Sequence, residues 1–172
     1  MIIKEVLEST TKVRTVKSLM RDVKNGKLNN NHICQRKGQQ WNKSQKQKLI
    51  DSALYGFVIP TLTFSSLLGG DSNVLYVVDG KQRLETLWEF TQDMFKYEGK
   101  KFSELSEEEQ DKILSTEIST VTYSCLTDVG IADVFDRLNN GTGLSSSQKM
   151  RANIEAACLM KIKQILDMPF FS

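Results

Sequence analysis

Apolar positions recur at helical spacing in some stretches of this chain and gather into short continuous runs in others. Val13, Val16, Leu19, Met20 and Val23 predict an amphipathic helix ending near Asn25-Gly26. A polar stretch over residues 28–40 follows. Leu49, Ile50, Ala53 and Leu54 predict the inward face of a second helix, opened by Asn42 or Ser44 and closed by Gly56. Ile59-Pro60 leads into a strand over residues 61–64, and the apolar run 74–78 reads as a buried strand. The turn Gly69-Gly70-Asp71-Ser72-Asn73 joins the two as a hairpin. Leu84, Leu87, Trp88 and Thr91 begin another helix directly after the second strand.

Further along, Tyr97-Glu98-Gly99-Lys100-Lys101-Phe102 suggests a small hairpin, and Ser106-Glu107-Glu108-Glu109 is a capping box for a short acidic helix. Residues 118–125 alternate as a strand does. Ile131, Val134, Phe135 and Leu138 give a helix broken at Asn139-Asn140-Gly141-Thr142-Gly143, and a last long helix starts at Ser145 or Ser146. Helices inserted between few strands define an α+β protein. The 172 residues suit one domain spanning 1–172. The end, Met168-Pro169-Phe170-Phe171-Ser172, is more apolar than a frayed terminus; it either packs back or leads into a further helical or nuclease region.

No apolar stretch approaches the ~20 residues of a membrane span, and Met1-Ile2-Ile3-Lys4-Glu5 lacks a signal-peptide core, so a cytoplasmic location is expected. Cys34, Cys125 and Cys158 are widely spaced and His32 is the only histidine, which speaks against a zinc site. Residues 1–50 carry twelve Lys or Arg against three acids, a charge of +9; the remainder has eleven basic and eighteen acidic residues, −7. Such asymmetry suits a phosphate-bearing partner, whether nucleotide or DNA, or else a lysine-rich solvated surface.

Chemistry is most concentrated at Val77-Val78-Asp79-Gly80-Lys81-Gln82-Arg83-Leu84, where a strand gives way to a helix. Free N–H groups and the helix dipole at such a junction favour an anion. Gly80 allows close backbone approach, Arg83 offers a planar fork to phosphate and Lys81 a point charge. Gln82 suits orienting a water, and Asp79 suits holding Mg²⁺ or fixing Arg83. The plain alternative is a capping box, Asp79 as N-cap with Gln82 at the third helical position. That alternative leaves Arg83 unexplained, since it borders the buried face of its helix and a half-buried guanidinium needs a partner. Gln35-Arg36 lies in the basic region before Trp41. Asp136-Arg137-Leu138-Asn139-Asn140-Gly141 closes a helix in which Asp133 and Arg137 form an i,i+4 pair.

These three segments, in this order, resemble the ParB/sulfiredoxin-like superfamily, and within it the N-terminal domain of GmrSD-type modification-dependent restriction enzymes. Gln35-Arg36 before a Trp, Asp79-Gly80-Lys81-Gln82-Arg83-Leu84 after a strand, and Phe135 to Gly141 with Leu144 and Arg151 beyond carry the resemblance. Leu49-Ile50-Asp51-Ser52 and Ile59-Pro60 add to it. The resemblance implies a small mixed sheet wrapped by helices that binds a nucleoside triphosphate with Mg²⁺. In several members it also hydrolyses the nucleotide, which regulates a nuclease domain or subunit. It implies catalytic roles for Asp79, Gln82 and Arg83, and nucleotide contacts from Gln35, Arg36, Gly80, Lys81, Arg137, Asn139 and Gly141, with Asp79 a candidate metal ligand.

Three positions depart from the family pattern: Lys81 stands where the box has Gln, four residues rather than three separate Arg36 from Trp41, and Gln148 stands where Glu is common. One histidine cannot furnish the His pair of an HNH nuclease. The expectation is therefore an NTP-binding, NTP-hydrolysing domain linked to DNA restriction or phage defence. Its rivals are a non-catalytic DNA- or protein-binding regulatory module and a DNA-nicking nuclease.

Overall fold

A computed structural model of the chain describes residues 7–29 and 41–139. Five strands form one mixed sheet: β1 (Ser9–Thr15), β2 (Leu28–Asn29), β3 (Leu62–Leu67), β4 (Leu75–Asp79) and β5 (Glu117–Leu126), in the order β1-β5-β3-β4-β2. β1 runs antiparallel to β5 and β3 antiparallel to β4, while β5 with β3 and β4 with β2 are parallel. The helices are α1 (Val16–Lys24), α2 (Lys43–Tyr55), α3 (Lys81–Thr91), α4 (Glu107–Ser115) and α5 (Asp128–Asn139). The α+β expectation holds, with a small mixed sheet and helices around it.

Strand alternation divides the core between the two faces of the sheet. Val77 joins Leu62 and Phe64 of β3 in the larger core, against Leu19 of α1, Ile50 of α2, Leu84, Leu87 and Phe90 of α3 and Ile113 of α4. Val78 turns the other way and packs with Leu126, Ile131 and Val134 under α5. Asp79, two residues beyond Val77, therefore lies on the face that carries α3. The apolar spacing predicted from the sequence for α2 and α3 is the spacing that is buried: Leu49, Ile50 and Ala53 in one, Leu84 and Leu87 in the other.

Three expectations are corrected. Val13 does not start a helix: residues Ser9–Thr15 form β1, paired with β5 from Ser9↔Tyr123 to Thr15↔Glu117, and α1 begins at Val16. The β-branched residues Thr10, Thr11, Val13 and Thr15 suit that strand. Thr15 then caps α1, its side chain accepting from the Ser18 N–H. The stretch over 28–40 opens with a two-residue strand, Leu28 beside Leu75 and Asn29 beside Tyr76. The hairpin expected at 97–102 is a single bridge, Tyr97 to Lys100, followed by a 3-10 turn over Phe102–Glu104. The predicted last helix lies outside the described residues.

Candidate functional site at the β4–α3 junction

Asp79 ends β4, Gly80 turns the chain at φ 89°, and α3 starts at Lys81. The capping-box alternative is overturned here. Gly80 rather than Asp79 is the N-cap, and no side chain caps α3. The Asp79 carboxylate instead takes the Arg83 guanidinium, Nη2 to Oδ2 at 2.7 Å, one turn into the helix. This is the partner that a half-buried Arg83, its side chain 13 % exposed, requires. Among the described residues no side chain caps the first N–H groups of α3. By contrast, Thr15, Asn42 and Ser106 cap α1, α2 and α4.

Gly80 is fixed by its own turn and by its neighbours. A Cβ built there would stand 2.2 Å from Leu62 Cδ2 and 3.1–3.2 Å from the Arg83 guanidinium nitrogens, in a backbone conformation L side chains rarely adopt. The space a side chain would need at Gly80 is taken by Leu62 and Arg83, and the glycine lets the guanidinium lie against the turn.

Gln82 faces the other way. Its Oε1 accepts from the Trp41 backbone N–H at 2.9 Å, and its Nε2 donates to Glu85 Oε2 at 3.2 Å. A backbone N–H can only donate, so the Trp41 bond fixes which end of the amide is oxygen and turns the NH₂ group toward Glu85. One lone pair and one hydrogen of the amide remain beyond these two bonds. Lys81 leans along the helix, its Nζ 3.7 Å from Glu85 Oε1. Burial holds the Glu85 carboxyl above its ordinary value of 4.5; Lys81 opposes that shift and Glu89 adds to it. The point charge expected at the turn is therefore partly drawn to Glu85.

The sequence motifs on either side stand differently to this junction. Gln35 and Arg36 lie outside the described residues, but the chain on both sides of them is anchored here. It leaves from β2 beside Tyr76 of β4 and returns at Trp41, bonded to Gln82. The third motif lies on α5, which packs Ile131 and Val134 on Val78, the residue before Asp79. Arg137 is exposed and bonded to Asp133, Nε to Oδ2 at 2.9 Å, the i,i+4 pair that the spacing predicts. The Asn139 side chain and Gly141 lie outside the described residues.

Glu85 is absent from the residues expected at the site, and Trp41 stands there only as the residue that follows Gln35-Arg36. Trp41 does pack against the larger core, but its backbone also tethers Gln82. Of the two, only Glu85 left a trace in the sequence: it lies three residues after Gln82 and four after Lys81, within reach of both on a helix. Among the described residues no three His, Cys, Asp or Glu side chains converge as a metal group would require. A single carboxylate, Asp79, with one oxygen on Arg83, fits a Mg²⁺ held mainly by water and phosphate oxygens. It does not fit a metal held by protein alone.

A mixed sheet wrapped by helices, whose penultimate strand ends in an arginine-braced helix start, defines the class: an α+β domain. The family described as GmrSD restriction endonuclease, N-terminal domain, matches residues 16–155, and the chain belongs to it. That span contains the junction, both flanks of Gln35-Arg36 and the whole of α5. Neither the curated proteins nor the solved structures gave a match to this chain. No helix among the described residues is long and apolar enough to cross a membrane.

Proposed function

We propose that residues 1–172 act as one ParB/sulfiredoxin-like unit that binds a nucleoside triphosphate with Mg²⁺ at the β4–α3 junction and hydrolyses it, in the service of DNA restriction. The observation that carries this reading is the uncapped start of α3, set on Gly80 and braced by the Asp79–Arg83 pair. Backbone N–H groups and the helix dipole at that end attract phosphate, and no side chain among the described residues caps them.

In this reading Asp79 holds Arg83 in place through one nitrogen, leaving its other N–H donors for phosphate oxygens. Lys81, shared with Glu85, adds positive charge beside the same oxygens. Gln82, oriented by Trp41 and Glu85, uses its remaining hydrogen-bonding capacity to position the attacking water. Bound Mg²⁺ supplies charge that screens the phosphate oxygens, with Asp79 its candidate protein ligand. Gln35 and Arg36, between β2 and Trp41, would add donors from the neighbouring segment; Arg137, Asn139 and Gly141 enter this reading through the family resemblance alone, since α5 packs on the opposite face of the sheet. Preorganised charge and positioning of this kind are the main levers of phosphoryl transfer.

Membership of a restriction family makes DNA the expected macromolecular target of the system. The charge of +9 over residues 1–50 supports direct contact with its backbone. A nuclease domain or subunit is the expected recipient of the nucleotide signal. The test is phosphate release from each ribonucleoside triphosphate with Mg²⁺, on wild type and Gln82→Ala. Wild type is expected to turn over, and the variant to lose about 100-fold in rate while still binding. Binding without turnover in the wild type removes hydrolysis and leaves a nucleotide-gated sensor.

A further inference from the structure

Helices α2 and α3 lie side by side and run in the same direction, since contacts advance together from just before α2 to just beyond α3. The Trp41 N–H meets Gln82, Lys46 pairs with Glu89, and the Tyr97 hydroxyl donates to Asp51 Oδ1 at 2.7 Å. On the flank of this pair is a cavity of about 320 Å³, lined by Trp41, Lys43, Lys46, Phe95 and Lys96. It starts at Trp41, whose backbone touches Gln82 in the first turn of α3. Lys46, opposite Glu89, lies roughly 10 Å further along α3 than Gln82, so the cavity runs from Trp41 beside the proposed phosphate end toward the far end of α3.

The lining is unusual for a lysine-rich surface. Trp41 and Phe95 are half-buried against the core, and Lys46 lies 5.5 Å from the centre of the Phe95 ring. That lysine is committed to Glu89 and Phe95. Lys43 and Lys96 are exposed and have no ion-pair partner among the described residues. A rigid aromatic wall with donor-only ammonium groups beside it is suited to a flat ring that carries acceptor atoms on its edge.

We propose that this cavity takes the base of the nucleotide, stacked on the Trp41 indole with its edge toward Lys43 and Lys96. The inference rests on the nucleotide reading above and deepens it. It gives Trp41 two roles, the backbone orienting Gln82 and the side chain holding the base. Occupation of the base site is thereby tied to the group proposed to position water.

The test is calorimetric titration of full-length protein with each ribonucleoside triphosphate and with inorganic tripolyphosphate, all with Mg²⁺. Wild type is expected to bind at least one nucleotide about 10- to 100-fold more tightly than tripolyphosphate, the ratio that stacking on one aromatic ring gives. Trp41→Leu, which keeps an apolar side chain at that position, is expected to remove this difference and leave tripolyphosphate binding unchanged. The double variant Lys43→Ala/Lys96→Ala touches no core residue and is expected to weaken nucleotide binding several-fold.

Tripolyphosphate binding as tight as every nucleotide, or an equal loss of both ligands in Trp41→Leu, overturns the base site and leaves the phosphate site standing. A loss in Trp41→Leu confined to a single-stranded oligonucleotide assigns the cavity to nucleic acid and overturns it too. Failure of the wild type to bind any of these ligands overturns the phosphate site and the base site together.

Discussion

The starts of α3 and α4 look alike in sequence and differ in use. Each is announced by a short polar box, Asp79-Gly80-Lys81-Gln82 in one and Ser106-Glu107-Glu108-Glu109 in the other. At α4 the box closes on itself: Ser106 Oγ accepts from the Glu109 N–H at 3.3 Å, and the Glu109 carboxylate accepts from the Ser106 N–H at 2.9 Å. Three acidic residues in the first turn complete the match to the helix dipole. At α3 the acid is pulled away by Arg83 and the amide by Trp41 and Glu85, and no side chain among the described residues caps the helix start. Cap-type residues close one helix end and, at the other, are turned to different partners. What decides is the left-handed glycine between the carboxylate and the helix.

The sharpest way to break this comparison is Gly80→Ala. The new Cβ meets Leu62 at 2.2 Å and the backbone stays at φ 89°, so about 3 kcal/mol or more of stability should be lost, read from urea denaturation. A fully stable alanine variant would show that the turn is not the constrained element described.

Arg83→Ala comes next. It leaves a half-exposed Asp79 without its partner, which should cost about 1–2 kcal/mol, and it should abolish nucleotide binding while most of the protein stays folded. Equal effects on stability and binding would reduce the pair to a structural brace.

Ser106→Ala is the matched control. Loss of the α4 cap should cost about 1 kcal/mol and leave binding untouched.

Glu85→Gln gives the smallest effect and the finest discrimination. The folded Glu85 carboxyl holds its proton more readily than the unfolded one, so Glu85 contributes stability as pH falls and loses that contribution as pH rises from 4.5 through its folded value. Urea midpoints measured across that window should show this slope in wild type and lack it in Glu85→Gln. An unchanged slope would place the titration elsewhere.

Much of the architecture was written in the sequence because burial is periodic. The α2 and α3 faces, the β3–β4 hairpin and the Ser106 box follow from spacing and turn chemistry alone. β1 was not legible: Val13 is 60 % exposed on an edge strand, and its spacing to Val16 mimics a helix. Only pairing with β5, more than a hundred residues away, makes it a strand. At the site, Arg83 could be singled out because burial of a guanidinium demands a partner. The Trp41–Gln82 bond could not, since it joins a backbone N–H to a side chain 41 residues later and no local rule anticipates it. Lys81 reads as a phosphate ligand in sequence, and only the packed helix shows how Glu85 shares it.

The most direct measurement of the central claim is calorimetric titration of ATP, GTP, CTP and UTP, each with Mg²⁺, into wild type, Arg83→Ala and Ser106→Ala. Saturable binding of at least one nucleotide to wild type and Ser106→Ala, absent in a folded Arg83→Ala, is the predicted result. Binding of none to the wild type, or undiminished binding in Arg83→Ala, would contradict the assignment of the open helix start as the nucleotide site.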